Sequence, residues 1–290
     1  MIGLIAAAYV GFSQKGGLGD QLFVMAVFAI VVTPLLFFIT LSMLREPSLP
    51  DESEAEVAQL SQLKLIWRNG PFRGLLLISF VLLATEYGAN AVKALILEHV
   101  FVRPDLFAPL LLAELVVMVL SIPFWLWLSR RYSKHQAVGV AAVWGGLVSL
   151  MIPLVSGDSL IVFSLLSLMK AIAIGAVIVL INGMAADVID IDQARTGKAR
   201  TGVYFAFWGM VIKGAAAAGV LAGTNLPDLM GYRVLEEGVE GAWSLVLTYG
   251  LLPGLGFLAI APVLFSWRLT RERQDRIRAA IQRRTERHAN

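Results

Sequence analysis

Long apolar runs separated by short polar segments form the main pattern along this chain. A membrane-spanning helix needs roughly 20 mostly apolar residues. Seven runs meet that length, at residues 21–43, 73–98, 105–129, 136–155, 159–184, 201–223 and 243–267. A shorter apolar stretch at 1–12 is not long enough to span the membrane. The pattern therefore predicts an all-α, polytopic membrane protein.

Two polar segments suggest how these spans are grouped. Residues 44–70 are acidic and contain prolines, and they read as a central cytoplasmic linker; residues 269–290 form a basic cytoplasmic tail. Six spans follow the linker within 71–268, whereas 1–43 hold one span and the short stretch. This plan resembles that of major facilitator transporters, which have two six-helix halves. We expect 71–268 to be the C-terminal half and 1–43 a remnant of the N-terminal half, so that this copy is incomplete.

The composition supports a membrane protein. The chain has 290 residues, of which 58% are hydrophobic and 16% charged, with a mean hydropathy of +0.74. Soluble chains have about 45–50% apolar and about 25% charged residues. The absence of Cys excludes disulfides and thiolate metal sites. We expect the lipid bilayer as a partner and no nucleic acid.

The basic residues predict the orientation, because loops rich in Lys and Arg stay in the cytoplasm. When the loops are assigned alternately to the two sides, 18 of the 24 Lys and Arg residues lie on the side of the linker and tail, and only Lys15, Arg103 and Arg233 on the other. This predicts a multi-pass protein of the plasma membrane, such as a bacterial inner membrane, with linker and C-terminus in the cytoplasm.

Ionisable side chains within the spans are the strongest candidates for function, because such groups are costly in lipid and mark transport pathways by default. Five are present: Glu86, Lys93, Glu114, Lys170 and Lys213. Glu86 and Lys93 are seven residues apart and share a helix face with Asn90. The residues either line a central water-filled cavity or form acid–base pairs that specify helix packing. Lys213 is the first candidate, because small residues that favour close helix approach follow it.

Other polar features indicate less. Tyr204 and Trp208 lie one turn apart, and they either form a stacking face for a sugar or pack against a neighbouring helix. The three His residues are scattered and form no ligand set. No arrangement of catalytic or nucleotide-binding residues is visible, so we expect no enzyme, no metal site and no cofactor.

The segment ADVIDIDQARTGKAR at 186–200 combines three acids with three bases between two apolar runs. A metal or catalytic site, plain solvation, and a charge network that breaks and re-forms during transport are the alternatives, and the balance of charge favours the network. We interpret it as a cytoplasmic gate that also draws on the loop at 129–136. The gate residues are Asp187, Asp190, Asp192, Arg195, Lys198, Arg200, Arg130 and Arg131.

The segment and its continuation, ADVIDIDQARTGKARTGVYFAFWGMVIKGAAA, resemble the glycoside–pentoside–hexuronide:cation symporters, the melibiose-carrier-like branch of the major facilitator superfamily. The R-N-x-P-F-R entry at 68–73 and the S-R-R-Y-S-K loop resemble the family as well, and the likeness covers roughly 21–267. It implies alternating-access uptake of a sugar, glycoside or uronide coupled to sodium ions or protons. It also implies that Lys213 matches the family's charged residue near the cation and sugar sites.

Two departures from this family affect the expected substrate and coupling. The family's cation-binding acids lie in N-terminal helices that this chain lacks, so we expect the chain alone not to couple uptake to a cation gradient. The helix before the acidic segment has no sugar-stacking aromatic and instead carries Lys170, which suggests an anionic solute such as a uronide. Transport of a lysolipid-like amphiphile and a membrane scaffold without transport activity are the alternatives.

Overall fold

The computed structural model describes residues 18–43, 69–196, 201–235 and 238–267. Within these ranges the chain forms seven α-helices: α1 (Leu18–Met43), α2 (Gly70–His99), α3 (Phe107–Arg131), α4 (Lys134–Val155), α5 (Leu160–Thr196), α6 (Thr201–Leu229) and α7 (Trp243–Phe265). All seven are long and apolar enough to cross a membrane. The predicted all-α membrane bundle with seven spans is confirmed.

The chain divides into two compact units. The first contains α1 and residues Val102–Ala113, where Ala108 packs against Val24, Met25 and Leu112. The second contains Asn69–Phe101 and the chain from Glu114 onward. In the second unit α2 packs on α6 and α7, and α4 packs on α5 and α7. Helices α2, α4, α5 and α7 are the more buried ones.

The start of α2 shows how the local sequence sets a helix end. Asn69 is the N-cap residue, and its side-chain oxygen accepts a hydrogen bond from the backbone N–H of Phe72. Pro71 lies in the first turn, where its missing N–H costs no intrahelical hydrogen bond. The side-chain amide of Asn69 also donates to the hydroxyl of Tyr204 at 3.1 Å, which ties this end of α2 to α6.

Small residues bring α2 and α6 together. A Cβ atom on Gly219 would meet the backbone carbonyl of Ala84, and one on Gly223 would meet the carbonyl of Gly88. Gly219 and Gly223 are four residues apart on one face of α6, the spacing that lets membrane helices approach closely. The sequence-based expectation of close approach after Lys213 therefore corresponds to a real helix contact.

Helix α5 is longer than the sequence predicts. The apolar run ends near residue 184, but the helix continues to Thr196 and has 37 residues. At 1.5 Å per residue it measures about 55 Å, whereas the hydrocarbon core of a bilayer is about 30 Å thick. The acidic segment up to Thr196 is thus the last part of a helix, and its charges lie beyond the length that lipid can cover.

One element is not predicted from the sequence. Strands β1 (Arg233–Leu235) and β2 (Gly238–Glu240) form an antiparallel pair in which Arg233 faces Glu240. Just before it, the Tyr232 hydroxyl and His99 Nδ1 are hydrogen-bonded at 2.8 Å, which links the end of α2 to this hairpin. Burial raises the pKa of Tyr232, and the nearby carboxylates of Glu98 and Asp228 raise it further.

Candidate functional site

Four of the five predicted mid-span charges meet inside the second unit. Lys93 of α2 forms an ion pair with Glu114 of α3, with Nζ and Oε2 2.5 Å apart. Lys170 of α5 pairs with Glu86 of α2, with Nζ and Oε1 3.2 Å apart. Both lysines are almost completely buried, with 1% and 2% of their surfaces exposed. Of the two expected alternatives, a central water-filled cavity and acid–base pairs, these four side chains form acid–base pairs in the structure.

Tyr249 of α7 joins these two pairs into one group. Its ring centroid lies 4.1 Å from Lys170 Nζ and 5.4 Å from Lys93 Nζ, distances at which a cation is attracted to the ring face. Its hydroxyl donates to Ser167 Oγ of α5 at 3.2 Å. We refer to Glu86, Lys93, Glu114, Lys170 and Tyr249 as the charge cluster, which joins helices α2, α3, α5 and α7.

Asn90 lies one turn after Glu86 and holds that carboxylate in place. Its side-chain amide donates to Glu86 Oε1 at 2.8 Å and to the Glu86 backbone carbonyl at 3.0 Å. The sequence-based expectation that Glu86, Asn90 and Lys93 share one face of α2 matches this geometry. All three are half-buried or buried in the structure.

The charge cluster has unused hydrogen-bonding capacity. Within the described ranges, Glu86 Oε2, Glu114 Oε1 and Lys170 Nζ are buried and have no hydrogen-bond partner. Nearly all buried polar atoms in proteins have one, so each exception needs an explanation such as a water, an ion or a functional role. The cluster therefore keeps two carboxylate oxygens and one ammonium group whose hydrogen bonds are not made within the described ranges.

Helices α2, α6 and α7 form an apolar groove. It has a volume of about 480 Å³ and is lined by Thr85 of α2, Leu226 and Met230 at the end of α6, and Leu247, Thr248, Leu251, Leu252, Leu255, Gly256 and Ala259 of α7. We call it the lateral groove, because the lining residue Leu255 is 61% exposed at the helix surface. Thr85 and Thr248 immediately precede Glu86 and Tyr249 in the chain, so two helices contribute to both features. Thr248 is 2% exposed, and its hydroxyl has no hydrogen-bond partner among the described residues.

Lys213, the first candidate from the sequence, lies elsewhere. It is an exposed residue of α6 and is not among the side chains that meet in the charge cluster. The reason is geometric, since the face of α6 that packs on α2 carries Ala215, Gly219 and Gly223, and these three are buried. Lys213 is two residues before Ala215, on a different side of the helix.

Tyr204 and Trp208 are buried against α2. Trp208 Nε1 donates to Ser79 Oγ at 3.0 Å, and the Tyr204 ring packs edge-on against Phe72 with centroids 4.7 Å apart. Both rings are more than nine-tenths buried. Of the two alternatives from the sequence, the structure places these rings in the helix-packing arrangement.

The acidic end of α5 forms a second charged group. Lys134, the first residue of α4, donates to Asp187 Oδ2 at 2.6 Å and to the carbonyl of Gly183 at 3.1 Å. Asp187 and Asp192 are buried, and Asp190 is half-buried. These positions differ from plain solvation, because the helix continues to Thr196 and two of the three acids are buried in it.

Only two of the five bases of the predicted gate have side chains that the structure describes. Arg130 and Arg131 are exposed in the last turn of α3. Lys198, Arg200 and the side chain of Arg195 lie outside the described residues. The structure pairs Asp187 with Lys134 of the same S-R-R-Y-S-K loop, a base that the sequence analysis did not include in the gate.

No metal-binding group is found where the structure describes the chain: no three His, Asp or Glu side chains lie close enough together to hold an ion. The two free carboxylate oxygens of the charge cluster belong to different ion pairs and do not make such a group by themselves.

Comparison with known proteins identifies the family. Residues 1–271 match the family model described as MFS/sugar transport protein. The chain belongs to this family. Its members are transporters and not enzymes, which confirms the prediction that the chain has no enzymatic activity. The buried charges of this MFS chain thus lie in a protein class that moves solutes across membranes.

Three relatives illustrate where this MFS chain lies within the wider family. It is 26% identical over 221 residues to the sodium-dependent lysophosphatidylcholine symporter 1-A of Danio rerio. It is 28% identical over 191 residues to the sphingosine-1-phosphate transporter MFSD2B of Xenopus tropicalis, and 26% identical over 225 residues to the sodium-dependent lysophosphatidylcholine symporter 1 of Gallus gallus. These matches cover 72%, 64% and 74% of this chain but 39%, 36% and 41% of the relatives. The chain thus spans about two fifths of the length of the curated relatives it matches.

Two residues of the MFS chain were missed by the sequence reasoning. Tyr249 is the one tyrosine of α7, and a phenolic hydroxyl within an apolar run was the available signal. Lys134 begins the span after a polar loop, where a basic residue ordinarily indicates only orientation. Neither role follows from sequence spacing, because each depends on which helices are neighbours.

Proposed function

We propose that this chain serves in the transport of an amphiphile, a molecule with a charged headgroup and an acyl chain, coupled to sodium ions. The relatives named above are transporters of lysophosphatidylcholine and of sphingosine-1-phosphate, both of which combine a phosphate-bearing headgroup with a hydrocarbon chain. Two of the three names also specify sodium dependence, which favours sodium over protons as the coupling ion.

The observation that carries the proposal is the pairing of the lateral groove with the charge cluster. The groove offers apolar side chains to a hydrocarbon tail and is open at the surface of α7 through Leu255. The cluster offers buried charges of both signs, and two of its members, Glu86 of α2 and Tyr249 of α7, directly follow groove residues in the chain. A sugar has no hydrocarbon chain that could fill an apolar groove. An amphiphile has both an acyl chain for the groove and a charged headgroup for the cluster.

Binding of a labelled lysophosphatidylcholine to the purified chain in detergent tests the proposal. We expect saturable binding that an unlabelled lysophospholipid displaces and that a neutral sugar does not. Leu255→Trp narrows the groove and is expected to weaken binding about 10-fold or more, comparable to the loss of one or two buried methylene contacts.

The matched control for this variant is Leu147→Trp. Leu147 of α4 is 52% exposed, similar to Leu255, but does not line the groove. It should bind the lysophospholipid as well as the unchanged protein. Equal losses in both variants, or no saturable binding at all, would argue against an amphiphile site in the groove.

A melibiose-like sugar or uronide symporter is the second candidate. Two findings favour it: the description of the matching family model as a sugar transport protein, and the buried lysines suited to a uronide carboxylate. Displacement of a labelled glycoside or glucuronide by the unlabelled compound, without competition from lysophospholipid, would support this alternative.

A further inference from the structure

The two ion pairs of the charge cluster differ in how their polar atoms are used. Lys93 donates a hydrogen bond to Glu114, whereas Lys170 Nζ lies 3.2 Å from Glu86 Oε1 and makes no hydrogen bond within the described ranges. Glu86 Oε2 is also buried without a partner there. An unused donor and an unused acceptor therefore lie together in the Glu86–Lys170 pair, although Lys170 is almost fully buried.

Neighbouring side chains hold this pair in place and leave these atoms unused. The Asn90 amide donates to Glu86 Oε1 at 2.8 Å, which fixes the carboxylate and leaves Oε2 for another donor. The Tyr249 ring lies 4.1 Å from Lys170 Nζ, so the ring face attracts the ammonium charge without supplying an acceptor oxygen. The Tyr249 hydroxyl donates to Ser167 instead.

The charge balance of the cluster limits which group can bind there. Two ammonium groups and two carboxylates sum to zero, and a buried charge without a counter-charge is strongly unfavourable. A group that carries no net charge preserves this balance. Ammonium groups only donate hydrogen bonds and carboxylates only accept them, whereas a hydroxyl does both. One hydroxyl can therefore accept from Lys170 and donate to Glu86 at the same time.

We propose that the Glu86–Lys170 pair recognises an alcohol hydroxyl of the solute, which accepts a hydrogen bond from Lys170 Nζ and donates one to Glu86 Oε2. Oε2 belongs to the carboxylate whose other oxygen lies 3.2 Å from Nζ, so a single oxygen atom can contact both. The Glu86 side chain is 14% exposed and that of Lys170 only 2%, so the pair is reached from the Glu86 side. The inference rests on the proposed function for the kind of solute, whereas the hydrogen-bonding pattern follows from the pair itself.

Such a hydroxyl has a defined place in an amphiphile. A glycerol that carries one acyl chain and a phosphate-bearing headgroup keeps one free hydroxyl, on the carbon between the two. Thr85, which lines the lateral groove, directly precedes Glu86 in α2, so one helix contributes to the binding of both the chain and the hydroxyl. A sugar presents the same chemical group, and the solute class is decided by which ligand shows the effect.

Ordered water is the competing occupant of this position. A water molecule can also accept from Lys170 and donate to Glu86, and buried waters ordinarily satisfy such atoms. A ligand hydroxyl reproduces the hydrogen bonds of the water that it displaces, whereas a hydrogen atom in its place makes neither. Loss of a hydrogen bond to a charged group weakens binding by about 10- to 100-fold. The pair should therefore distinguish two ligands that differ in this one group.

Binding of 1-acyl-lysophosphatidylcholine and of its 2-deoxy analogue to the full chain in detergent tests the inference. The two ligands share the acyl chain and the headgroup, so the ratio of their affinities isolates the hydroxyl. We expect the unchanged protein to bind the ligand with the hydroxyl about 10- to 100-fold more tightly. A labelled glycoside and its monodeoxy analogues form a separate arm for a sugar solute.

Two variants locate the effect at the pair. Glu86→Leu with Lys170→Met replaces both charges by apolar groups of similar size, and we expect this double variant to bind the two ligands equally. Glu86→Asp keeps the charges but shortens the acceptor side chain by one methylene, and we expect a smaller preference. Glu98→Gln is the control, because Glu98 is an exposed carboxylate on the same helix, and it should keep the full preference. Each value is a ratio within one protein, so partial unfolding of a variant does not change it.

The outcomes separate this inference from the proposed function. Equal affinities of the two lysophospholipids for the unchanged protein overturn the hydroxyl site, show that the pair binds water only, and keep the amphiphile proposal. A full preference in the double variant also overturns the hydroxyl site, because the hydroxyl is then recognised elsewhere. A preference seen with the glycoside alone, and lost in the double variant, supports the hydroxyl site and overturns the amphiphile proposal. Absence of saturable binding by either class of ligand overturns both.

Discussion

Lys93 and Lys170 are almost fully buried, and each is paired with a glutamate from another helix. A lone charge at such a position is very costly in lipid, whereas a paired charge is tolerated. The pairs also restrict which helices can be neighbours. Glu114 of α3 must face Lys93 of α2, and Glu86 of α2 must face Lys170 of α5. The same ion pairs thus determine which helices pack together and place charged groups in the interior of the protein.

The Lys93–Glu114 pair leads to a prediction about stability. Glu114→Gln leaves the Lys93 ammonium buried without its counter-charge, and we expect a loss of about 3–5 kcal/mol in the free energy of unfolding. The double variant Lys93→Met with Glu114→Leu replaces the pair by apolar groups of similar size, and it should recover most of that loss. Chemical denaturation of the detergent-purified protein measures both.

The exposed pair Arg103–Asp105 provides the control for this experiment. It lies in the short connection between α2 and α3, and the Arg103 side chain is 46% exposed, so Asp105→Asn should leave the unfolding midpoint nearly unchanged. A Glu114→Gln variant as stable as the unchanged protein would show that Lys93 is not dependent on this carboxylate.

At the element scale, glycine determines how α2 and α6 meet. Gly219 and Gly223 lie against the backbone of α2, whereas a Cβ atom added to Gly214, five residues before Gly219, would have no neighbouring atom within 4 Å. The three glycines therefore look alike in the sequence but differ in their surroundings. Lipid gives no hydrophobic drive for helix association, so the close approach itself supplies the stabilising contacts.

This difference predicts opposite effects of one substitution at two sites. Gly219→Ala forces α2 and α6 apart, and we expect destabilisation of about 1–3 kcal/mol. Gly214→Ala on the same helix meets no atom and should stabilise by up to about 1 kcal/mol, because alanine favours the helix. Thermal unfolding of the two purified variants compares them directly, and a stabilised Gly219→Ala would contradict the helix contact.

At the scale of the whole molecule, hydropathy was sufficient to find every long helix of the described ranges but not their partners. All seven predicted spans are present, because about 20 apolar residues can be accommodated only as a membrane helix or a buried one. The pairing of Glu86 with Lys170 and of Lys93 with Glu114 depends on contacts between helices distant in sequence, which spacing does not encode. For the same reason the neighbours of Lys213 in the chain favoured it as the first candidate, although it lies outside the charge cluster.

The orientation of the whole chain remains a prediction, and the absence of Cys makes it simple to test. The distribution of Lys and Arg predicts that the turn between α3 and α4 is cytoplasmic and that the turn between α4 and α5 lies on the opposite side. Tyr132 and Asp158 are exposed residues of these two turns. In intact cells, a membrane-impermeant maleimide should label Asp158→Cys at once and Tyr132→Cys only after the membrane is permeabilised. Because consecutive spans cross the membrane in alternating directions, the reverse labelling pattern would invert every loop, and with it the assignment of the acidic end of α5 to a cytoplasmic gate.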